Sequence, residues 1–341
     1  MEPIPPLLAE LLEAPGASGH EDAVQAIVRR EAARLGVEVT TDVLGSTTAL
    51  LRGSVGGRTL GLFAHADQVG MAVRQVGDDG LLRVARLAGW RAADAFGQRV
   101  RVMAEDGEVR GVVVAPHEGD ASWEALRVDI GALGKEDALG LVRPGDPVVL
   151  HAPPEPLPNG RLLSGALDDR VGVFAALQVL ERLAAARPAW DVALVVCGQE
   201  ETGGHGAARL AAERLRPDVA VVVEVTFAGD APGEAPWGEV SLGGGPTVFR
   251  GPVASPIVGE GLLAAAAESG IAVAIEAGKS TWSDADVIFT AAAGVACGIV
   301  CVPLRYMHTA GEIVQLSDVD AAAGLLEAYA RSLTPDASFL R

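Results

Sequence analysis

Five short stretches of the chain carry residues able to bind a cation or move a proton: His65-Ala66-Asp67, Asp168-Asp169, Glu200-Glu201, Glu224 and His308. Most of them stand where an apolar, β-branched run stops. Residues 60–64 run into His65, residues 192–197 lead through Gly198-Gln199 to Glu200 and Glu201, and the all-apolar run 219–223 ends directly on Glu224. A buried strand that stops at such residues delivers them to the carboxyl edge of a sheet, where open α/β sheets hold their ligands. Each also has an ordinary structural explanation. His65 could be a satisfied core histidine, Asp168 a helix cap, Glu200-Glu201 a solvated loop, Glu224 a lone strand-end charge, and His308 a loop residue. Together they supply two histidines and three carboxylate sites mostly at strand ends, and an acid just after an all-apolar strand is awkward without a cation.

Two histidines with carboxylates suit zinc, or another borderline divalent ion such as cobalt or manganese. A pair of ions about 3.5–4 Å apart needs a carboxylate shared between them, and a short aspartate at a helix start can serve. A glutamate beside a ligand glutamate can take the proton from a water. Asp67, two residues past His65, can orient the imidazole.

The elements that must position these residues are legible as a pattern. A helix is expected over residues 5–13. Ser18-Gly19-His20-Glu21 has capping-box spacing and opens a second, to about Leu35, with His20 on its surface. Residues 37–43 and 46–51 read as paired strands. From residue 159 onward the texture alternates. Helices are expected over 168–186, 207–215, 264–269, 284–293 and 318–332, and strands over 192–197, 219–225, 272–275 and 295–302. This predicts an α/β fold: a mixed, largely parallel sheet with helices on both faces.

Between about Gly70 and Pro158 short alternating runs are separated by Asp79-Gly80, Asp106-Gly107 and Pro144-Gly145-Asp146, which predicts an inserted small β-barrel-like module. The catalytic domain is then 1–69 plus 159–341, the insertion 70–158, and residues 153–158 a proline-rich exit linker. His117 and His151 fall in the insertion, away from any acidic motif, and read as structural.

A net charge of −18 argues against nucleic-acid and anionic-membrane partners and suits binding of divalent cations. The three cysteines, Cys197, Cys297 and Cys301, lie in or beside apolar runs, so a reducing compartment is expected, the cytoplasm. Neither a signal peptide nor a spanning helix is visible.

Several of these stretches match a known family. Ala64-His65-Ala66-Asp67, Ala166-Leu167-Asp168-Asp169-Arg170, Gln199-Glu200-Glu201, the segment 225–233, Gly244-Gly245-Pro246, Ser283-Asp284-Ala285 and Arg305-Tyr306-Met307-His308 resemble, in order, the motifs of the TET or glutamyl aminopeptidases, which are dinuclear metallopeptidases. The resemblance spans most of the chain, and it implies two divalent ions per subunit, zinc first and cobalt or manganese as alternatives. Asp168 would bridge them, with Glu201 and His308 completing one site and His65 and Glu224 the other. Glu200 would be the general base. The resemblance further implies peptide substrates, dimers formed through the insertion, and their assembly into a tetrahedral dodecamer.

Three positions depart from the family pattern. Glu224 stands where aspartate is usual, which moves the carboxylate by about one C–C bond, ~1.5 Å. Gln68 follows Asp67 where an acid is common, and His205, in the loop after Glu201, is placed to bind a stray metal or touch substrate. The competing readings are a related metal-dependent hydrolase of amide or N-acyl bonds and a metal-binding assembly protein whose site Glu224 weakens. Relatives labelled endoglucanases are a poorer match, because the residues form a metal cage and not a lone carboxylate pair.

Overall fold

The computed structural model describes residues 3–115, 122–232 and 239–340. His117 and Gly233 lie outside the described residues.

The centre of the large sheet is four parallel strands in the order Asp191–Cys197, Thr59–His65, Val219–Phe227, Ala296–Arg305. Their near-continuous Val, Leu, Ala and Ile content follows from burial on both faces. Side chains alternate between two cores. Leu60, Leu62, Leu194, Val196 and Val221 pack with the helices Pro6–Glu13, Asp22–Arg34, Leu167–Ala185, Pro256–Ser269 and Leu316–Ser332. Phe63, Val195, Ala220 and Val222 point the other way, against the helices Gly206–Leu215 and Ala285–Ile288. The expected sheet with helices on both faces is present, and the two ends of its strand order are antiparallel. The hairpin Glu38–Thr41 with Thr47–Leu51 forms one edge, and Glu312–Gln315, Arg161–Ser164 and Glu155–Leu157 form the other. Thr247–Arg250 and Ala274–Ala277 branch from Ala296–Arg305.

Three sequence expectations change. Residues 153–158 are not all linker: Glu155–Leu157 is a strand, and its Pro156 is tolerated because the strand is outermost. The helix expected over 284–293 is a single turn, Ala285–Ile288. Beyond it the chain turns tightly, with Ala291 N donating to the Ile288 carbonyl and Gly294 N to that of Ala291. Ser18 does not cap the second helix, which starts at Asp22 without a side-chain cap; its hydroxyl is used elsewhere, as described below.

The inserted segment holds a closed six-stranded barrel, in the order Gly70–Val76, Leu82–Leu87, Arg127–Asp129, Gly107–Val114, Arg99–Ala104, Pro147–Leu150 and back to Gly70–Val76. Met71, Val73, Leu82, Val100, Val102 and Val148 fill its interior. Closure gives every strand in this order a paired neighbour on both sides.

Candidate metal centre

The four parallel strands bring the sequence-predicted residues to one place. His65 ends its strand level with Cys197, three residues before Glu200. Glu224 lies within its strand opposite Cys301, and His308 follows the end of Ala296–Arg305. Asp168 precedes the regular part of the helix Leu167–Ala185 (φ −75°, ψ 109°) and makes no cap bond, so the capping explanation does not hold. The peptide between Asp168 and Asp169 is cis.

Asp168 stands between the two histidines. Its Oδ1 is 3.1 Å from His65 Nε2 and its Oδ2 is 3.2 Å from His308 Nε2. Each ring nitrogen meets a second carboxylate: Glu224 Oε1 lies 3.5 Å from His65 Nε2, and Glu201 Oε2 lies 3.3 Å from His308 Nε2. Despite its extra methylene, Glu224 therefore reaches the group. The second oxygen of Glu201 is buried with no hydrogen-bond partner among the described residues. Two imidazoles, a shared aspartate, and a buried oxygen lacking a donor form a ligand set that fits borderline divalent ions.

The electrostatics are those of buried acids packed together. Burial, reinforced by neighbouring carboxylates, raises the pKa of Glu200, Glu201 and Asp169 well above the ordinary carboxylate value and also raises that of Glu224. Burial also opposes charge on Asp168, but hydrogen bonds from His308 and His65 outweigh it and hold its pKa low. For His308, burial opposes protonation, while the Asp168 hydrogen bond and the Glu201 charge lift the pKa to about 10. His65 is raised in the same way, with Glu224 the leading charge against burial. Such displaced values cluster at functional sites.

Asp67 does more than orient an imidazole. His65 Nδ1 lies 3.2 Å from its carbonyl oxygen and 3.4 Å from Oδ1. The carboxylate also accepts the Ser18 hydroxyl at 2.6 Å and the backbone N–H groups of Glu200 and Glu201 at 2.9 and 3.1 Å. Glu21 accepts from Gly19 N and Gln199 N, and it fills the space beside Gly198, where an added Cβ would lie 2.8 Å from Oε1. Gln199 and His308 both adopt left-handed backbone angles, φ 62° and 64°, which non-glycine residues hold only where surrounding contacts impose them. Gln68 Oε1 is 3.5 Å from the buried Arg170 guanidinium, whose pKa burial depresses to about 10.

Three supporting residues had no assigned role in the sequence reading. Glu312 accepts the N–H groups of Leu167 and Asp168 on Oε2, at 2.8 and 3.3 Å, and of His308 on Oε1 at 2.8 Å. Asp169 accepts from the backbone of His65 and Gly172 at 3.3 and 3.1 Å. Asp284 faces His205 and, with Glu200, forms a third group of potential ligands. Asp169 and Asp284 lie inside motifs named above, whereas Glu312 carries no such local signal.

The centre opens into a cavity of about 450 Å³, walled by Phe249, Ile299 and Cys301 and holding Glu276. Glu276 accepts the hydroxyls of Thr226 and Thr247 at 2.8 and 3.1 Å. Among its described lining residues there is no lysine or arginine.

A family model described as M42 glutamyl aminopeptidase matches residues 45–325. The chain belongs to that family. This makes it a peptidase by family, with the M42 fold. It is 30% identical over 347 residues to the lysyl aminopeptidase of Pyrococcus furiosus, covering 96% of this chain and 97% of the relative. Among solved structures, an aminopeptidase of the archaeon Desulfurococcus kamchatkensis superposes with a TM-score of 0.92 at 32% identity, covering 97% of this chain and 95% of that one. The dodecameric PhTET1-12s gives 0.87 at 26%, covering 96% of this chain and 98% of that one. Among the described residues no helix is long and apolar enough to cross a membrane.

Proposed function

We propose that this M42 member is a metal-dependent aminopeptidase that releases N-terminal residues from peptides. The observation that carries the reading is Asp168, whose two oxygens address His65 and His308 separately. His65, Asp168 and Glu224 would hold one divalent ion, and Asp168, Glu201 and His308 a second, zinc being the first choice for this donor set. Such a pair, when bound, polarises the scissile carbonyl and acidifies a water. Glu200 is the general base: buried at the rim of the same cavity, with its pKa raised by burial, it accepts a proton and returns it to the leaving amine. Asp67 positions it through its backbone N–H.

The cavity favours neutral or basic N-terminal side chains over acidic ones, because Glu276 and not a cation stands in its wall. The three buried free cysteines agree with a reducing compartment such as the cytoplasm.

The test is turnover on lysyl, leucyl and glutamyl p-nitroanilides and on an N-acetylated peptide, with metal stoichiometry, for Glu200→Gln and Glu201→Gln. Glu200→Gln is expected to keep two metals and lose about 10²–10⁴-fold in turnover, whereas Glu201→Gln loses metal. Reversed outcomes would exchange the two roles. Cleavage of the acetylated peptide alone would replace aminopeptidase by N-acyl hydrolase activity.

A further inference from the structure

Beside the two ligand sets lies a third with the same local geometry. His205 Nδ1 is 3.3 Å from Asp284 Oδ1 and 3.4 Å from Glu200 Oε1, as His65 Nε2 and His308 Nε2 each meet two carboxylate oxygens. His205 immediately precedes the helix Gly206–Leu215 with φ 46°, so its backbone is committed to this orientation. The trio is enclosed: His205 is 9% exposed, Glu200 6% and Asp284 2%. The remaining oxygen of Asp284, Oδ2, is buried and has no hydrogen-bond partner among the described residues. One ring nitrogen cannot satisfy two carboxylates and leave a buried oxygen without a donor at no cost, whereas a cation among one nitrogen and two carboxylates would engage them all.

We propose that Glu200, His205 and Asp284 form a third, inhibitory divalent-metal site, whose imidazole and carboxylates suit zinc and similar borderline ions. The inference rests on the reading of Glu200 as the base. An ion held there occupies the lone pair that would take the water's proton, so the enzyme is activated by the first two equivalents of zinc and silenced by the next. No covalent step is involved, and removal of the ion restores the base.

The experiment is calorimetric titration of zinc into enzyme dialysed to two equivalents, alongside turnover at two equivalents and in zinc excess. It is run on the full chain and on His205→Leu and Asp284→Asn. The unmodified protein should bind a third, weaker equivalent and lose at least 10-fold in turnover as it fills, which lies within the about 10²–10⁴-fold worth of a general base. Each variant should retain two tight equivalents, lose the third, and show a ratio of turnover at two equivalents to turnover in excess zinc near one, whatever its absolute rate. A third equivalent that survives in both variants would place the ion elsewhere and overturn the proposal. So would an unmodified enzyme that is active with two ions and binds no third. A protein lacking two tight equivalents and aminopeptidase activity would instead overturn the two-ion reading, and this inference with it.

Discussion

His308 and His151 each follow closely on the end of a strand, one at the edge of the large sheet and one in the barrel. Their surroundings are opposite in sign. His308 Nε2 faces Asp168 and Glu201, and its pKa is lifted to about 10 against the pull of burial. His151 Nε2 lies 3.1 Å from an Arg110 nitrogen, so its neutral ring accepts a hydrogen bond, and burial with the charges of Arg110 and Arg101 lowers its pKa. The barrel keeps apolar side chains inside and carries Arg74, Arg83 and Arg110 on outward-facing, exposed positions. The sheet edge buries Asp67, Asp168, Asp169, Glu200, Glu224 and Glu312 together. A fold that packs six buried acids at one sheet edge and displays arginines on its barrel has given the first place a different task. Buried like charges are costly unless paired, and cations are the partner that the two-histidine cluster fits.

The largest break in that contrast is Asp168→Asn. Asparagine keeps the shape but offers one acceptor oxygen in place of two, so both ions are expected to be lost together and turnover with them. Metal analysis after dialysis checks this, and retention of two equivalents would show that the aspartate is not shared.

Glu312→Gln sharpens the contrast at one remove. The carboxylate accepts N–H groups from Leu167, Asp168 and His308, and an amide nitrogen cannot replace an acceptor oxygen. Supporting partners of this kind are worth about 10–100-fold in metal affinity, so a loss of that size is expected by titration. An unchanged affinity would make Glu312 a fold residue only.

The pH dependence follows from the raised histidines. His65 and His308 hold protons in the metal-free protein at neutral pH and must release them to ligate. Metal affinity should therefore rise as the medium becomes more alkaline through neutrality, with net proton release measured by calorimetry in buffers of different ionisation enthalpy. Affinity independent of pH would mean that the histidines are not the ligands.

The smallest effect on the chemistry is expected from the barrel. We expect segment 70–158 to mediate self-association, the role that the family resemblance implies for the insertion. Leu133, 96% exposed beside the barrel strands, is a candidate contact. Leu133→Glu should reduce assembly by light scattering while leaving metal stoichiometry intact. A protein that is monomeric before substitution across the micromolar range, with full activity, would show that assembly is not required.

The sequence reading found the strands of the sheet and the five ligand stretches for one physical reason: most of the ligands follow a run of buried residues, and that change of texture is local. What it missed depends on contacts distant along the chain. Ser18 fits a capping box in spacing, yet its hydroxyl goes to Asp67, 49 residues away. Glu312 meets Leu167 across 145 residues, and no short pattern encodes that meeting. Residues 284–293 carry helical texture, but only Ala285–Ile288 is helical and the chain beyond it is held in tight turns. Asp284 stands within a visible motif, but its approach to His205 spans 79 residues and no local pattern encodes it.

The pairing of Met71 with Val148 sets the first and last barrel strands side by side. Seen from the sheet, the whole insertion therefore departs and returns at nearly one point, as a hairpin loop does. Such a module can be lengthened, shortened or exchanged without moving the register of the strands that flank it. If copies of the chain meet through the insertion as expected, change in how they meet can accumulate apart from change in the ligand residues of the sheet, with Gly89, which lines the cavity, as a point where the two touch.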